Sequence, residues 1–206
     1  MVNLKRIFTE LAEKYSNDTL LINELWNEIE KEYSYPDRYY HTIVHLKEFY
    51  IQLLHVRNKI EDWDTILFSM FYHDIIYVTS NSDNEVKSAE YAAGRLKQLT
   101  CPAEKISTCV NLILATKEHK EEDNNDVNYF TDADLSILGQ HRDSYSDYCT
   151  KIRKEYSIFN ELQYNTGRKE VLQKFLHRGS IFKTKYFYDK FEVAARQNIK
   201  NELNTL

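Results

Sequence analysis

The chain contains very little of the two residue types that mark turns. Its 206 residues include four glycines and two prolines. Sheet-rich folds with many tight turns need more of both, because glycine and proline supply the backbone angles that such turns require. Apolar residues instead recur at helical spacing along almost the whole sequence, and no segment is a strong strand candidate. The sequence therefore predicts an all-α protein.

Other absences limit the partners and the location. The sequence has no apolar run of membrane-spanning length and no basic tract, and its 27 lysines and arginines against 32 acidic residues leave a net charge of −5. We therefore expect neither a membrane nor a DNA or RNA polymer as partner. The three cysteines form no CxxC pair, which is typical of reduced intracellular thiols. The N-terminus does not resemble a signal peptide, so we expect a cytoplasmic protein.

The polar gaps between the helical segments are too short to act as interdomain linkers. At this length the chain is predicted to form a single all-α domain over residues 1–206. Aromatic residues make up 14% of the sequence. They could pack a core or the face of a homodimer, so the oligomeric state is left open.

A His-Asp pair within an apolar segment is the most informative feature that the sequence does contain. His73 and Asp74 lie in the segment 66–77, where periodicity predicts a buried helix from about residue 61 to residue 77. An ionised carboxylate is costly to bury without a partner, and a metal ion with an imidazole co-ligand is one such partner. The alternative is a core histidine that is hydrogen-bonded to the neighbouring carboxylate.

Two further histidines stand four residues apart at the predicted start of the third helix. A helix that begins near Tyr40 would place His41 and His45 on one face, with their Cβ atoms about 5–6 Å apart. One of them could then bind a metal ion while the other reaches past it to a substrate. A solvent-facing pair at a helix start is the structural alternative.

Two aspartates follow an acidic loop at residues 121–126. Asp132 and Asp134 open a predicted short helix that reaches residue 138, with Gly139 as its C-cap. Aspartate is favoured at N-caps, which gives Asp132 a structural explanation. Asp134 lies inside the predicted first turn beside apolar residues, where a carboxylate has less structural reason to occur. Asp134 is therefore the better candidate ligand, and a shared role for Asp132 is left open.

Together these motifs resemble the HD-domain superfamily of metal-dependent phosphohydrolases, in which a His, a His-Asp pair and a distal Asp surround a metal ion. The likeness is greatest to a bacterial group of predicted HD-superfamily hydrolases and covers most of residues 35–205, with a motif core at about 35–160. The matching blocks are residues 38–45, 71–74, 84–89, 115–119, 132–139, 152–156 and 195–198. The first block also resembles that of class I cyclic nucleotide phosphodiesterases. Thr42 replaces an Asn there, which weakens any expectation of cyclic nucleotide specificity.

The resemblance implies a helical HD-type bundle in which His45, His73, Asp74 and Asp134 hold a divalent ion. Mixed nitrogen and oxygen ligands suit Mn, Fe, Ni, Co, Zn or Mg without choosing among them. Asp74 would then be catalytic, because it holds the ion that activates a water. From the phosphodiesterase-like block, His41 is expected to contact substrate or to act as general acid. The reverse assignment of His41 and His45 is left open.

Three outer residues are candidates for contact with a phosphate. Arg38 precedes the first motif and Arg153 lies within a predicted helix, and a guanidinium group suits phosphate oxygens. His119 ends the helix before the acidic loop, where extra histidines serve the substrate or a second metal ion in some HD proteins. The alternative for each is a surface charge, or for Arg153 a structural ion pair.

We therefore expect metal-activated water to hydrolyse a phosphate mono- or diester, on a nucleotide or another small phosphorylated metabolite. Two other functions are left open. The fold could keep the metal ion as a structural staple in a catalytically silent nucleotide-sensing or protein-binding module. A di-iron oxygenase of HD type would need further ligands, for which Glu85 and His119 are the candidates.

Overall fold

The computed structural model describes residues 2–206 and is helical throughout, which confirms the all-α prediction. It contains ten α-helices and two 3-10 helices, and no strand occurs in this range. No helix within residues 2–206 is long and apolar enough to cross a membrane. The α-helices are α1 (Leu4–Ala12), α2 (Thr19–Glu32), α3 (Ile43–His55), α4 (Trp63–Tyr72), α5 (Asn84–Gln98), α6 (Ala103–Ala115), α7 (Asn125–Asp134), α8 (Arg142–Glu155), α9 (Glu161–His177) and α10 (Lys185–Leu203). The 3-10 helices are Arg57–Lys59 and Leu135–Gly139.

The chain divides into two compact units. The first unit ends at Thr131 and the second runs from Asp132 to Leu206, so the boundary falls inside α7. The single domain over residues 1–206 stays a prediction.

Helix α4 is the centre of the first unit. It packs against α1, α3, α5 and α6, and its residues from Thr65 to Tyr72 are all buried. Phe8 of α1 approaches Phe68 and Phe71 of α4 edge to face, with ring centroids 6.5 and 5.2 Å apart. The apolar segment before the His-Asp pair is thus a core helix, and its C-terminal end carries His73.

Helix α3 begins later than the periodicity predicts. Thr42 has an extended backbone, and its side chain accepts the N–H of the residue two positions on, at 3.3 Å. This N-cap starts the helix at Ile43 instead of near Tyr40. His41 consequently lies in the loop before α3 while His45 lies in its first turn. The prediction that both histidines occupy one helical face is wrong.

Helix α4 ends at Tyr72, five residues earlier than predicted. The carbonyl of Met70, which a continuing helix would pair with the N–H of Asp74, lies 2.9 Å from Nδ1 of His73 instead. The N–H of Asp74 donates to the hydroxyl of Tyr33 at 3.2 Å. The His73 side chain thus replaces the N–H of Asp74 as the donor to the Met70 carbonyl. The helix ends there, with His73 as its C-cap residue.

The short helix predicted from residue 132 to residue 138 is also wrong. Helix α7 already begins at Asn125, where the side chain of Asn124 accepts the N–H of Asp126 at 2.8 Å. Asp132 therefore lies inside the last turns of α7, and Asp134 is its final residue.

In the second unit, α10 packs closely on the 3-10 helix that ends at Gly139. Gln140 and not Gly139 is the C-cap of this helix, and Gly139 does not have a positive φ, so the predicted C-cap is wrong. A Cβ at Gly139 would lie 2.5 Å from Cβ and 2.6 Å from the carbonyl oxygen of Phe191. The glycine is required for this close approach of two backbones.

We predict that Gly139→Ala lowers the free energy of unfolding by about 1–3 kcal/mol, because the backbone of Phe191 must move. Gly167→Ala in α9 is the matched control, since nothing lies within 4 Å of its added Cβ and alanine is the better helix former by about 1 kcal/mol. Urea unfolding followed by circular dichroism measures both changes. Equal stabilities of the two variants would contradict the close packing at Gly139.

Candidate metal centre

Three side chains of the first unit converge at the N-terminal end of α3 and the C-terminal end of α4. Nε2 of His73 lies 3.1 Å from Nε2 of His45 and 3.0 Å from Oδ2 of Asp74. One ligand atom of each residue lies within 4.8 Å of the others. Two imidazole nitrogens and a carboxylate oxygen at this spacing form a group that could bind a metal ion. We call these three residues the metal-binding triad.

The hydrogen bonding of His73 favours the form that a metal ligand needs. Its Nδ1 lies 2.9 Å from the carbonyl oxygen of Met70, which can only accept, so the proton is on Nδ1. In the neutral imidazole Nε2 carries the lone pair that can bind a metal ion, and in the protonated imidazole Nε2–H donates to Oδ2 of Asp74 at 3.0 Å. A backbone carbonyl behind the distal nitrogen is the usual partner of a histidine that binds metal through the other nitrogen.

The spacing within the metal-binding triad fits a divalent ion. Neighbouring ligands at right angles around an ion with bonds of about 2.1 Å are about 3 Å apart. The two separations measured from His73 Nε2 are 3.1 and 3.0 Å. The rings of Phe49 and Phe130 pack on His73 with centroids 5.2 and 6.3 Å away, which holds the imidazole in its orientation.

The carboxyl group of Asp74 is in the charged form that binds a cation. Burial acts to raise its pKa, but the charge and hydrogen bond of His73 oppose burial, and His41 and His45 add to that opposing effect. The pKa of Asp74 consequently lies well below its ordinary value. The carboxylate therefore stays ionised at neutral pH.

His41 lies directly beside the metal-binding triad. Its Nε2 is 3.8 Å from Oδ2 of Asp74, and its ring centroid is 5.7 Å from that of His45. The ring of Tyr77 packs against it at 4.1 Å between centroids. The His41 side chain is 16% exposed, whereas that of His73 is 1% exposed. The geometry thus favours His45 as the ligand and leaves His41 partly exposed beside the metal-binding triad.

Arg38 connects the two loops that carry His41 and Asp74. Its Nη1 donates to the carbonyl oxygens of Asp74 at 2.7 Å and His41 at 3.4 Å, and its Nη2 donates to that of Ile75 at 2.9 Å. The buried guanidinium also lies over the ring of Tyr33, 5.0 Å from its centroid. Contact of Arg38 with a phosphate stays a prediction. The hydrogen bonds that Arg38 makes in the structure position the backbone on both sides of the site.

Tyr33 is a positioning residue that the sequence patterns did not single out. It is buried at the C-cap of α2, and its hydroxyl accepts the N–H of Asp74 while its carbonyl accepts the N–H of Ile43 at 3.3 Å. Tyr33 thus contacts the start of α3 and the loop after α4. A tyrosine at the end of an amphipathic helix is typical of any core, so no local signal marks this role.

The carboxylate of Asp132 has a structural role in the second unit. It accepts the N–H of Lys183 at 3.0 Å and both the N–H and the hydroxyl of Thr184 at 2.7 Å. Helix α10 begins at the next residue, Lys185, so this anion lies at the positive end of the helix. Asp132 caps α10 and not a helix of its own. Both of its oxygens are engaged there, which argues against a shared role as metal ligand.

The remaining predicted ligands are described within their own units. Asp134 is partly buried at the end of α7 in the second unit, and its role as fourth ligand stays a prediction. His119 follows α6 with φ at 49° in the left-handed region. Within the first unit, neither His119 nor Glu85 belongs to the metal-binding triad. The role of His119 and Glu85 in a di-iron site therefore stays a prediction.

Arg153 has structural partners in the second unit. It donates to the carbonyl oxygens of Tyr156 and Phe159 at 3.0 and 3.1 Å and pairs with Glu161 at 2.8 Å. Its guanidinium lies over the ring of Tyr164, 4.7 Å from the centroid. These bonds match the structural ion pair considered as the alternative, and contact of Arg153 with a phosphate stays a prediction.

Comparison of the chain with protein-family models, with curated proteins and with solved structures gave no match in any of the three. The interpretation of the site therefore depends on its own geometry and chemistry.

We predict that Arg38→Met weakens the binding of a divalent ion by roughly 10- to 100-fold, the usual loss when a partner that orients the ligands is removed. Arg57→Met is the matched control, because its guanidinium also lies over an aromatic ring, that of Trp63 at 4.6 Å, but belongs to the 3-10 helix after α3. Competition with a chromogenic chelator measures the affinity for Zn²⁺, and circular dichroism checks the fold. Equal affinities of the two variants would contradict the positioning role.

Proposed function

We propose that the chain is a metal-dependent hydrolase of phosphate mono- or diesters. The observation that carries this proposal is the convergence of His45, His73 and Asp74 with a further histidine 3.8 Å from the same carboxylate oxygen. A purely structural metal site is closed by its ligands and needs no such neighbour. A partly exposed imidazole beside the metal-binding triad supports catalysis over a structural staple.

The residues that would hold the ion are the metal-binding triad and Asp134 as the fourth ligand. Two imidazoles and two carboxylates leave open coordination positions for a substrate and a water. A divalent ion held in this way would polarise a phosphoryl oxygen and would lower the pKa of a water. The donor set suits Mn, Fe, Ni, Co, Zn or Mg, and elemental analysis decides among them.

His41 is the proton donor in this proposal. Hydrolysis of a phosphoester needs a proton on the leaving oxygen, and a histidine is well suited to supply it near neutral pH. The Tyr77 ring packs against the His41 ring at 4.1 Å between centroids and keeps it beside Asp74. Arg38 and Tyr33 hold the two loops in register, so that donor and ligands keep their relative positions.

A small phosphorylated metabolite, such as a nucleotide, is the substrate class that we propose. The net charge of −5 opposes binding of a nucleic-acid polymer, whereas one phosphate group can be held by local contacts. We further propose that the protein acts in the cytoplasm. Its three free cysteines, two of them buried, are compatible with that reducing compartment.

We predict that wild-type protein retains about one divalent ion per chain and that Asp74→Ala loses both the ion and hydrolysis, because one of the ligands is gone. Asp147→Ala is the matched control, since this carboxylate is 61% exposed and pairs only along its own helix with Lys151. Elemental analysis measures the ion. Initial rates with p-nitrophenyl phosphate and bis(p-nitrophenyl) phosphate, each with added metal, measure the activity.

Full activity of Asp74→Ala on a substrate that the wild type hydrolyses would contradict this mechanism. Metal-loaded wild type that is inactive on a broad panel of phosphoesters, yet stabilised against heat by a nucleotide, would instead indicate a silent binding module. Two irons per chain would indicate the oxygenase.

A further inference from the structure

Tyr77 connects the proton donor of the proposed function to a segment that contains no helix. Its ring packs on the ring of His41 with the centroids 4.1 Å apart, and the guanidinium of Arg38 lies 5.6 Å from the Tyr77 centroid. Residues 73–83, which carry Tyr77 from the end of α4 to the start of α5, form neither helix nor strand. The position of the Tyr77 ring therefore depends on what holds the backbone of this segment.

Two side chains of α5 hold this backbone on either side of Tyr77. The hydroxyl of Ser88 accepts the N–H of Ile76 at 3.1 Å and donates to the carbonyl oxygen of the same residue at 3.2 Å. Asn84 pairs with Val78 in the same way: its Oδ1 accepts the N–H at 3.1 Å, and its Nδ2 donates to the carbonyl oxygen at 2.9 Å. Both backbone groups of each flanking residue are thus satisfied, as a neighbouring β-strand would satisfy them.

The spacing and the burial of these two side chains fit this role. Asn84 and Ser88 stand four residues apart and therefore lie on one face of α5. Ser88 is fully buried, and a buried hydroxyl is costly unless it is hydrogen-bonded. Alanine would be the better helix former if the position needed packing alone. The hydroxyl of Ser88 therefore serves the segment that carries Tyr77.

The part of the segment nearest the metal-binding triad is held separately. Arg38 donates to the carbonyl oxygens of Asp74 and Ile75 at 2.7 and 2.9 Å, and these bonds do not involve α5. Loss of the two α5 side chains would therefore release the backbone around Tyr77 while the carbonyl of the metal ligand stays bound. Metal binding and the position of His41 can thus be separated by mutation.

We propose that Asn84 and Ser88 are positioning residues for the proton donor. They fix the backbone around Tyr77, and the Tyr77 ring in turn holds His41 beside the carboxylate of Asp74. Hydrolysis of a phosphoester breaks the bond between phosphorus and the leaving oxygen, and His41 supplies a proton to that oxygen. A displacement of about 1 Å in such a group can cost about 100-fold in rate. This role in catalysis rests on the proposed function, in which His41 is the donor.

Two esters with different leaving groups test the role of Asn84 and Ser88. The p-nitrophenolate ion leaves readily without a proton, whereas phenolate does not, so the phenyl ester depends more on the donor. We expect Asn84→Ala and Ser88→Ala each to lower kcat for phenyl phosphate by about tenfold or more, and for p-nitrophenyl phosphate by less than about threefold. KM and the affinity for Zn²⁺ should stay within about threefold of the wild-type values, since the ligands remain.

Asn128→Ala is the matched control. Asn128 also pairs with both backbone groups of a residue six positions earlier, Glu122, at 2.9 and 2.7 Å, but this residue lies in the acidic loop. The control loses the same kind of pairing and should keep the wild-type ratio of the two kcat values. Circular dichroism checks each fold. Asn84→Ala and Ser88→Ala remove different pairs, so that one variant decides the test if the other does not fold.

His41→Gln distinguishes failure of the positioning role from failure of the proposed function. It should lower kcat for the phenyl ester selectively, because the donor itself is lost. Equal losses with both esters would show that His41 is not the donor and would contradict the proposed function. Selective loss in His41→Gln together with wild-type ratios in Asn84→Ala and Ser88→Ala would overturn the positioning role.

A spectroscopic measurement tests the same contact without relying on activity. The Tyr77 ring, 4.1 Å from that of His41 between centroids, shifts the NMR signals of the His41 ring protons through its ring current. These signals are assigned by their absence in His41→Gln, in protein labelled with ¹³C-histidine and with added Zn²⁺. We expect the shifts to shrink in Asn84→Ala and Ser88→Ala and to persist in the control. Unchanged His41 signals in both variants would overturn the positioning role even if the wild type hydrolyses no phosphoester.

Discussion

The interaction on which the site depends is the one between the His73 side chain and the Met70 carbonyl. At 2.9 Å it takes the acceptor that a continuing helix would use, and so it ends α4. It also places a proton on Nδ1, so that Nε2, the atom that faces His45 and Asp74, carries the lone pair in the neutral imidazole. One hydrogen bond thereby sets the helix end, the tautomer and the direction of the chain into Asp74. The buried aromatic packing of α4 holds this arrangement in place.

Charged side chains fix the paths of the connecting segments in this protein, a role that turn residues have in other folds. With few glycines and prolines, the connecting segments have little intrinsic preference for one path. Arg38 binds three carbonyl oxygens around the site, Asp132 binds two N–H groups before α10, and Glu192 with Arg196 holds residues 178–184. Each pairing satisfies backbone groups that have no helical partner. Charges that resemble surface or catalytic groups in the sequence thus also hold backbone segments in place.

Helices could be predicted from the sequence far better than their ends. Periodicity records which face of a segment meets the core, and it located the buried helix before His73 correctly. The ends were wrong near Tyr40 and after Tyr72 because single side chains compete there with backbone donors and acceptors, as Thr42 and His73 do. The spacing of hydrophobic residues does not indicate where such competition occurs. The local choice between alternative hydrogen-bond partners, each bond worth about 1 kcal/mol, decides it.

The sequence alone determined the helical class and the chemical types of the candidate ligands, because both follow from residue identity and short-range spacing. Only the tertiary structure decided what Arg38 and Asp132 bind. The Arg38 guanidinium meets a carbonyl 36 residues away, and the Asp132 carboxylate meets N–H groups 51 and 52 residues away. A buried charge must find a partner wherever packing brings one. Contacts between distant segments determine that partner, and local sequence does not encode them.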